Sequence, residues 1–293
     1  MSSTTPCPTN ASGAVPEMAS RLVRVVSNER IPGGCHVLAF EPEGDFPMVQ
    51  AGQFAMLSTD DPNFPILPRP FSVLGATGED GGQGGATRLE FLIMPVGVGS
   101  GLLCSLPVGG RCQVVGPMGH ALDEGLPQGP IVCVAGGYGV APFLFLAEAW
   151  RRAGDKRLEQ LTIVFGARSA DKLSLADRLV ATGATISFCT EDGGRGFTGR
   201  VDGRLRELLA ESKPAAVLTC GPDRMMEAVG EVARGAGVPC RASLESVMGC
   251  GYAVCNGCAV GVGDPNDPEG YTYELACREG TIFDEARLQW NLI

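Results

Sequence analysis

Residues 130–147 read PIVCVAGGYGVAPFLFLA, an uncharged apolar run long enough to be taken for a membrane helix. Gly136, Gly137, Gly139 and Pro142 divide it instead into a buried strand from Ile131 to Ala135, a glycine turn, and a helix from about Pro142 to Ala153. Glycine suits tight turns and proline suits the first helical turn. The same strand-then-helix unit repeats downstream: Leu161 to Gly166 with Ala170 to Leu179, Thr185 to Thr190 with Val201 to Glu211, and Ala216 to Cys220 with Arg224 to Gly235. Repeated units of this kind imply a parallel sheet with helices on both faces.

Upstream the pattern differs. Short strands alternate with Gly/Pro punctuation: Arg21 to Ser27, Cys35 to Phe40, Gln53 to Ser58, Phe71 to Ala76, Arg88 to Met94 and Arg111 to Val115, with Gly78 to Gly85 as a hairpin tip. Almost no helical periodicity accompanies them, so an antiparallel barrel or sandwich is expected. The first twenty residues are polar, broken by Pro and Gly, and lack an apolar signal core; they read as a disordered tail.

The 293 residues suggest roughly two domains at about 150 each, with room for a small third. Against 33 Asp and Glu stand 23 Lys and Arg, a net charge of −10, so there is no basic footprint for nucleic acid or an anionic membrane. Twelve cysteines are too few for a disulfide scaffold and more than packing requires, which points to metal binding in a reducing, cytoplasmic compartment.

Four of those cysteines gather near the carboxyl end, in LESVMGCGYAVCNGCAVGV and EGYTYELACREG. Their spacing, Cys250-x4-Cys255-x2-Cys258 with eighteen residues before Cys277, is that of plant-type [2Fe-2S] ligation. Gly249, Gly251 and Gly257 would let the loop curl closely around such a cluster. Structural zinc is the competing reading, although zinc motifs usually pair C-x2-C with C-x2-C. From about Ala242 there is too little apolar sequence for an independent core, so the metal site is expected to hold this segment together. The other eight cysteines, Cys7, Cys35, Cys104, Cys112, Cys133, Cys189, Cys220 and Cys240, read as small hydrophobes, with Cys220 set apart by its position.

The turn from Gly136 to Pro142 is a context in which unpaired N–H groups receive a pyrophosphate, though the third glycine of G-x-G-x-x-G falls on Pro142. Cys220-Gly221-Pro222 closes the last strand of the repeat, and ligands of open parallel sheets sit beyond such strand ends, so both turns are expected to line one crevice.

Taken together, Arg69-Pro70-Phe71-Ser72, Gly97-Val98-Gly99-Ser100, Gly116-Pro117-Met118-Gly119, the Gly136 turn and Cys220-Gly221-Pro222 resemble the ferredoxin-NADP reductase superfamily. With the cysteine pattern added, the order of motifs is similar to that of electron-transfer subunits of NAD-dependent (type B) dihydroorotate dehydrogenase. The resemblance implies an FAD-binding β-barrel over residues 21–125 after a tail at 1–20, an NAD-binding α/β domain over 126–241, and a [2Fe-2S] lobe over 242–293.

It further implies that Arg69 pairs with the FAD pyrophosphate and that Ser72 hydrogen-bonds the isoalloxazine. Pro70 and Phe71 would shape the strand beside the ring, and Leu92, Ile93, Met94, Gly99 and Ser100 would contact the adenine dinucleotide. Met94 stands where relatives often carry a cation. Gly136, Gly137, Gly139, Pro142, Gly221 and Pro222 would receive NAD, with Cys220 near the nicotinamide as a catalytic candidate beside Ser72. Cys250, Cys255, Cys258 and Cys277 would hold the cluster.

The implied partner is an FMN-containing dihydroorotate dehydrogenase catalytic subunit, in a heterotetramer of two plus two, acting in pyrimidine biosynthesis. Two alternatives remain open: an NAD(P)H reductase serving ferredoxin, sulfur or glutamate-synthase-type partners, and a zinc-bearing binding module. Arg168, Ser169 and Lys172 leave NADP possible. His36 and His120 read as structural.

Overall fold

In a computed structural model the described residues are 18–78 and 85–293. Six antiparallel strands run through Ala19–Arg30 (β1), His36–Pro42 (β2), Phe54–Ser58 (β3), Arg69–Gly78 (β4), Ala86–Ile93 (β5) and Arg111–Met118 (β6). They close into a barrel in the order β1-β2-β5-β4-β3-β6. Alternation decides which side chains fill it: Leu38 and Phe40 of β2 and Leu89, Phe91 and Ile93 of β5 are all fully buried. Phe40 meets Phe91 edge-on, 5.9 Å between ring centres. A short helix α1 (Val98–Cys104) adds Leu103 to this core. β1 takes in Ala19 and Ser20, which the sequence reading gave to the tail. Residues 79–84, the middle of the expected hairpin tip, lie outside the described residues, as do residues 1–17 and with them Cys7.

The second sheet contains Ile131–Gly136 (β7), Leu161–Ala167 (β8), Thr185–Thr190 (β9), Phe197–Thr198 (β10), Ala216–Cys220 (β11) and Cys240–Ser243 (β12), all parallel. Helices α2 (Ala141–Ala153), α3 (Ala176–Val180), α4 (Val201–Glu211) and α5 (Asp223–Gly235) connect them. β7 is buried along its whole length, yet its side chains still alternate. Ile131, Cys133 and Ala135 join the core shared with α2 and the barrel, while Val132 and Val134 join the one under α4 and α5.

One expected helix is much shorter than its sequence suggested. Ala170 to Leu179 forms a 3-10 turn (Ala170–Lys172) and then α3. The break lies at Ser174, whose hydroxyl donates to the carbonyl of Pro32 in the barrel at 2.9 Å, and at Leu175, which adopts φ 62°. A tertiary contact here overrides helical propensity.

The C-terminal segment is woven into both preceding parts. After β12 come the hairpin Ala259–Gly263 (β13) and Tyr271–Leu275 (β14), helix α6 (Ala276–Glu279), and Ile282–Asp284 (β15), which pairs antiparallel with β12 as the seventh strand of the sheet. The division expected at residue 242 therefore falls inside β12. In place of an independent core the lobe shares one: Val260, Val262, Leu288 and Phe283 pack with Phe54, Met56, Val115 and Met118 of the barrel. Glu285, 1% exposed, accepts from Arg234 of α5 with both carboxylate oxygens at 2.9 Å and from Trp290 Nε1 at 3.1 Å. Among the described residues no helix is long and apolar enough to cross a membrane.

Candidate functional site

A cavity of about 330 Å³ opens where the barrel, the glycine turn and the chain leaving β12 meet. Arg69, Pro70, Phe71 and Ser72, the first residues of β4, form one wall, joined by Leu92, Met94, Gly99 and Ser100. Ile93 is turned away: strand alternation sends its side chain into the barrel core, fully buried, while Leu92 and Met94 face the cavity. Arg69 donates through Nη1 to the carbonyls of Leu67 (2.8 Å) and Pro68 (3.2 Å), not to a carboxylate. The rest of its guanidinium lies at the cavity wall. Gly99 lies beside the arginine stem, where an added Cβ would make an ordinary contact with Arg69 Cγ at 3.5 Å. Ser100 Oγ is engaged locally, accepting from the N–H groups of Val96 and Gly97.

The opposite wall holds Gly139 and Pro142 of the glycine turn. The two turns expected to share a crevice in fact interlock. A Cβ on Gly139 would lie 2.4 Å from the Cys220 carbonyl oxygen, and one on Gly136 would lie 2.4 Å from Met225 Sδ. Gly221 is filled in the same way by Met225 Cε at 2.9 Å. Of these four glycines Gly137, at φ 57°, alone has nothing within 4 Å of the position a Cβ would take, and it too lies outside the cavity lining. Gly136 and Gly221 thus serve packing between β7 and β11, and neither lines the cavity. Pro222 caps α5 outside it. Cys220 is 1% exposed, and burial pushes its thiol well above the ordinary range.

Sequence reading missed the third wall, formed by Leu244 to Met248 together with Tyr138, Phe54 and Thr281. Glu245 lines the cavity, and its side chain is still exposed to solvent. Desolvation, then the neighbouring Asp223, raises its carboxyl to about 7. The charge of Glu245 is in turn the main cause of the upward shift at Tyr138. The one available signal was positional, a carboxylate directly beyond the carboxyl end of β12. His36 pairs with Asn28 (2.8 Å) and His120 with Glu124 (3.3 Å), and neither lines the cavity. At the end of β9, Thr190 bonds to Arg195 and Asp192 to Gly194, a self-contained loop.

Beyond Met248 the chain forms the cysteine loop. Each of the four sulfurs accepts one backbone N–H: Cys250 from Tyr252 (3.3 Å), Cys255 from Gly257 (3.4 Å), Cys258 from Cys277 (3.5 Å) and Cys277 from Ala253 (3.2 Å). Such donors favour thiolates, and those at Cys250 pull it down to about 6, whereas burial pushes Cys277 up to about 12. The thiols stand in two pairs within hydrogen-bonding reach, Cys250 with Cys255 and Cys258 with Cys277.

Among the described residues no three His, Cys, Asp or Glu side chains converge on one point as a single-ion cage. Two pairs fit a two-iron centre better than one tetrahedral zinc. Ala253 and Asn256, at φ 55° and 54°, curl the loop inward. Gly249 and Gly257 border Cys255 Sγ, at 3.1 and 3.5 Å from an added Cβ, while Gly251 packs on Met56 of β3. Cys255 is exposed and Cys258 and Cys277 are buried.

Comparison with known proteins places these features in a family. The model for an oxidoreductase NAD-binding domain matches residues 133–231, and that for the iron-sulfur cluster binding domain of dihydroorotate dehydrogenase B matches residues 245–289. The dihydroorotate dehydrogenase B (NAD+) electron transfer subunit of Desulforamulus reducens is 30% identical over 240 residues, covering 82% of this chain and 87% of that protein. Its namesake from Caldanaerobacter subterraneus subsp. tengcongensis is 31% identical over 260 residues, covering 89% and 94%. In fold, the chain is similar to a solved NADH-dependent reduced ferredoxin-NADP oxidoreductase, with TM-score 0.74 at 23% identity, covering 92% of this chain and 90% of the other. A barrel, an NAD-binding sheet and an iron-sulfur segment thus occur here in one continuous chain, which belongs to the family of dihydroorotate dehydrogenase B (NAD+) electron transfer subunits.

Proposed function

We propose that this chain carries electrons from a dihydroorotate-oxidising, FMN-bearing catalytic subunit, through a [2Fe-2S] cluster and FAD, to NAD+ in pyrimidine biosynthesis. The observation that carries the reading is the set of four N–H-bonded sulfurs in two pairs, whose loop packs on barrel strand β3 next to the cavity. The donor chemistry and the pairing fit a two-iron cluster. The cavity fits a flavin: it has an apolar barrel wall, an arginine without a carboxylate partner and a serine hydroxyl.

Within it, Arg69 would grip the pyrophosphate with its planar fork. Ser72 would hydrogen-bond the ring system, and Pro70, Phe71, Leu92 and Met94 would exclude water from it. Gly139 and Pro142 would receive the dinucleotide at the cavity wall, with Gly137 beside them in the open part of the turn. Cys250, Cys255, Cys258 and Cys277 would ligate the irons. FAD bound there supplies the exchange between hydride and single electrons that neither NAD nor the cluster performs alone. With its carboxyl raised to about 7, Glu245 would take up or release a proton at the cavity face near neutral pH.

For the partner, the support is a patch of exposed apolar side chains around Cys255: Val247, Tyr252 and Val254 on the lobe, and Ile66 and Leu67 before β4. Leu67 Cδ1 is 3.6 Å from a Cβ built on Gly249, so the two groups are contiguous. The test is anaerobic purification with iron, sulfide and flavin analysis, followed by NADH formation from dihydroorotate and NAD+ with the FMN subunit added. The reading predicts two irons and one FAD per chain and partner-dependent turnover. Iron-free chain, or loaded chain giving no NADH with the partner, overturns it.

A further inference from the structure

An ion-pair network lies away from the cavity, on the seam between barrel and sheet. Arg178 of α3 makes a bidentate pair with Glu148 of α2, Nε to Oε1 at 2.6 Å and Nη2 to Oε2 at 2.8 Å. Its third nitrogen, Nη1, stands 2.8 Å from Oε2 of Glu90, on β5 of the barrel. That oxygen is sealed from water and has no aligned hydrogen bond, so the guanidinium charge is its compensation. Arg88 meets the other oxygen of Glu90 at 3.3 Å.

The elements joined in this way are the ones that carry the two halves of the site. α2 grows directly out of the glycine turn. β4, whose first residues line the cavity, has a bulge between Val73 and Gly75 opposite Phe91 and Glu90 of β5. A Cβ on Gly75 would stand 3.4 Å from Glu90 Oε2 and 3.5 Å from Arg178 Nη2, so the brace is seated on that bulge, just past Ser72.

We infer that Arg178 is a positioning residue, fixing the nucleotide turn relative to the flavin-binding end of β4 through Glu148 on one side and Glu90 on the other. Partly buried ion pairs such as these contribute modest net stability, and the role inferred for this one is to fix a geometry. Hydride transfer moves two electrons and one proton between flavin and nicotinamide, from reduced flavin to NAD+ in the proposed direction and from NADH to oxidised flavin in the reverse, and its rate depends steeply on the placement of the two rings.

The inference rests on the flavin and NAD reading above, and the experiment separates the two. Glu90→Gln keeps shape and removes charge; Arg178→Lys keeps charge and removes the fork. In chain loaded with FAD and cluster, saturating NADH should bleach the flavin about tenfold more slowly in either variant, with the half-saturating NADH concentration within about twofold of the unaltered chain. Hydrogen exchange of the flavin-free chain should quicken across α2 and the bulge of β4.

Bleaching within about twofold of the unaltered rate, or slowing matched by an equal rise in half-saturation, overturns the inference. Should Arg178→Lys not fold, Glu90→Gln decides alone. Should NADH fail to bleach the unaltered chain, the functional reading falls, and exchange in the flavin-free variants still decides the brace.

Discussion

Gly139 sits so close to Cys220 that a methyl group on it would come within 2.4 Å of the Cys220 carbonyl oxygen and 2.6 Å of its carbon. Both are backbone atoms, so no rotamer change can relieve the clash. Gly139→Ala must push the β7 and β11 turns apart and should cost about 3 kcal/mol. Gly137→Ala meets no neighbour and carries only the strain of φ 57°, about 1 kcal/mol. If the dinucleotide lies against Gly137, that milder variant should raise the half-saturating NADH concentration about tenfold while melting almost normally. Thermal denaturation and NADH titration of the pair check both halves.

The loop after β8 favours NAD over NADP. Ser169 donates to Asp171 Oδ1 at 2.5 Å, and Lys172 stands 3.6 Å from Oδ2, so two of the groups that might greet a 2′-phosphate already face a carboxylate. The serine hydroxyl holds that carboxyl below its ordinary range. Asp171→Asn removes the repulsion and releases Lys172, and it should raise kcat/KM for NADPH relative to NADH by about tenfold. Steady-state kinetics with both nucleotides measures it, and an unchanged ratio means that the 2′ position lies elsewhere.

Periodicity and punctuation made the barrel and the parallel sheet legible, because β7 and α4 obey local rules that the tertiary structure merely confirms. The cysteine loop was legible because ligand spacing is a local property. Three features depend on what meets across the chain, and these were hidden. The Ser174 contact with Pro32 ends a helix that local propensity would have continued. The thioether of Met225, not a ligand, fills the space beside Gly136. The C-terminal lobe borrows its core from Phe54 and Met56, so counting its own apolar residues underestimated it. Glu245 escaped notice because a single carboxylate has no pattern, and only the fold brings it to the cavity.

Placing Glu245 at the cavity also sets a pH dependence. Its carboxyl rises from the ordinary 4.5 to about 7 on folding, so the folded chain favours the protonated form. The stabilisation is complete below about pH 4.5 and is lost as pH rises through about 7. Because the side chain is exposed to solvent, screening limits the effect to at most on the order of 1 kcal/mol. Glu245→Gln should therefore make the flavin-free chain more stable than the unaltered one at pH 8 and remove the loss between pH 5 and 8, to about that extent. Urea denaturation at both pH values tests it, and parallel curves for the two proteins would exclude the carboxyl as the cause.

Removing the iron distinguishes a lobe held by metal from one held by packing. If metal alone organised residues 242–293, chelation would unfold them all, as in small domains that exist only when loaded. Here Val260, Val262, Phe283 and Leu288 pack against the barrel, β15 is hydrogen-bonded to β12, and Glu285 is clasped by Arg234. Only the loop from Gly249 to Cys258 depends on the sulfurs for its shape, with Ala253 and Asn256 in left-handed conformations that need compensation. Cys255→Ser, altering the exposed sulfur, should abolish the cluster yet lower the melting temperature by no more than about 5 °C. Hydrogen exchange should quicken within that loop and stay slow in β13, β15 and the Glu285 segment. Rapid exchange throughout the lobe would show instead that the irons, and not the borrowed core, keep it folded.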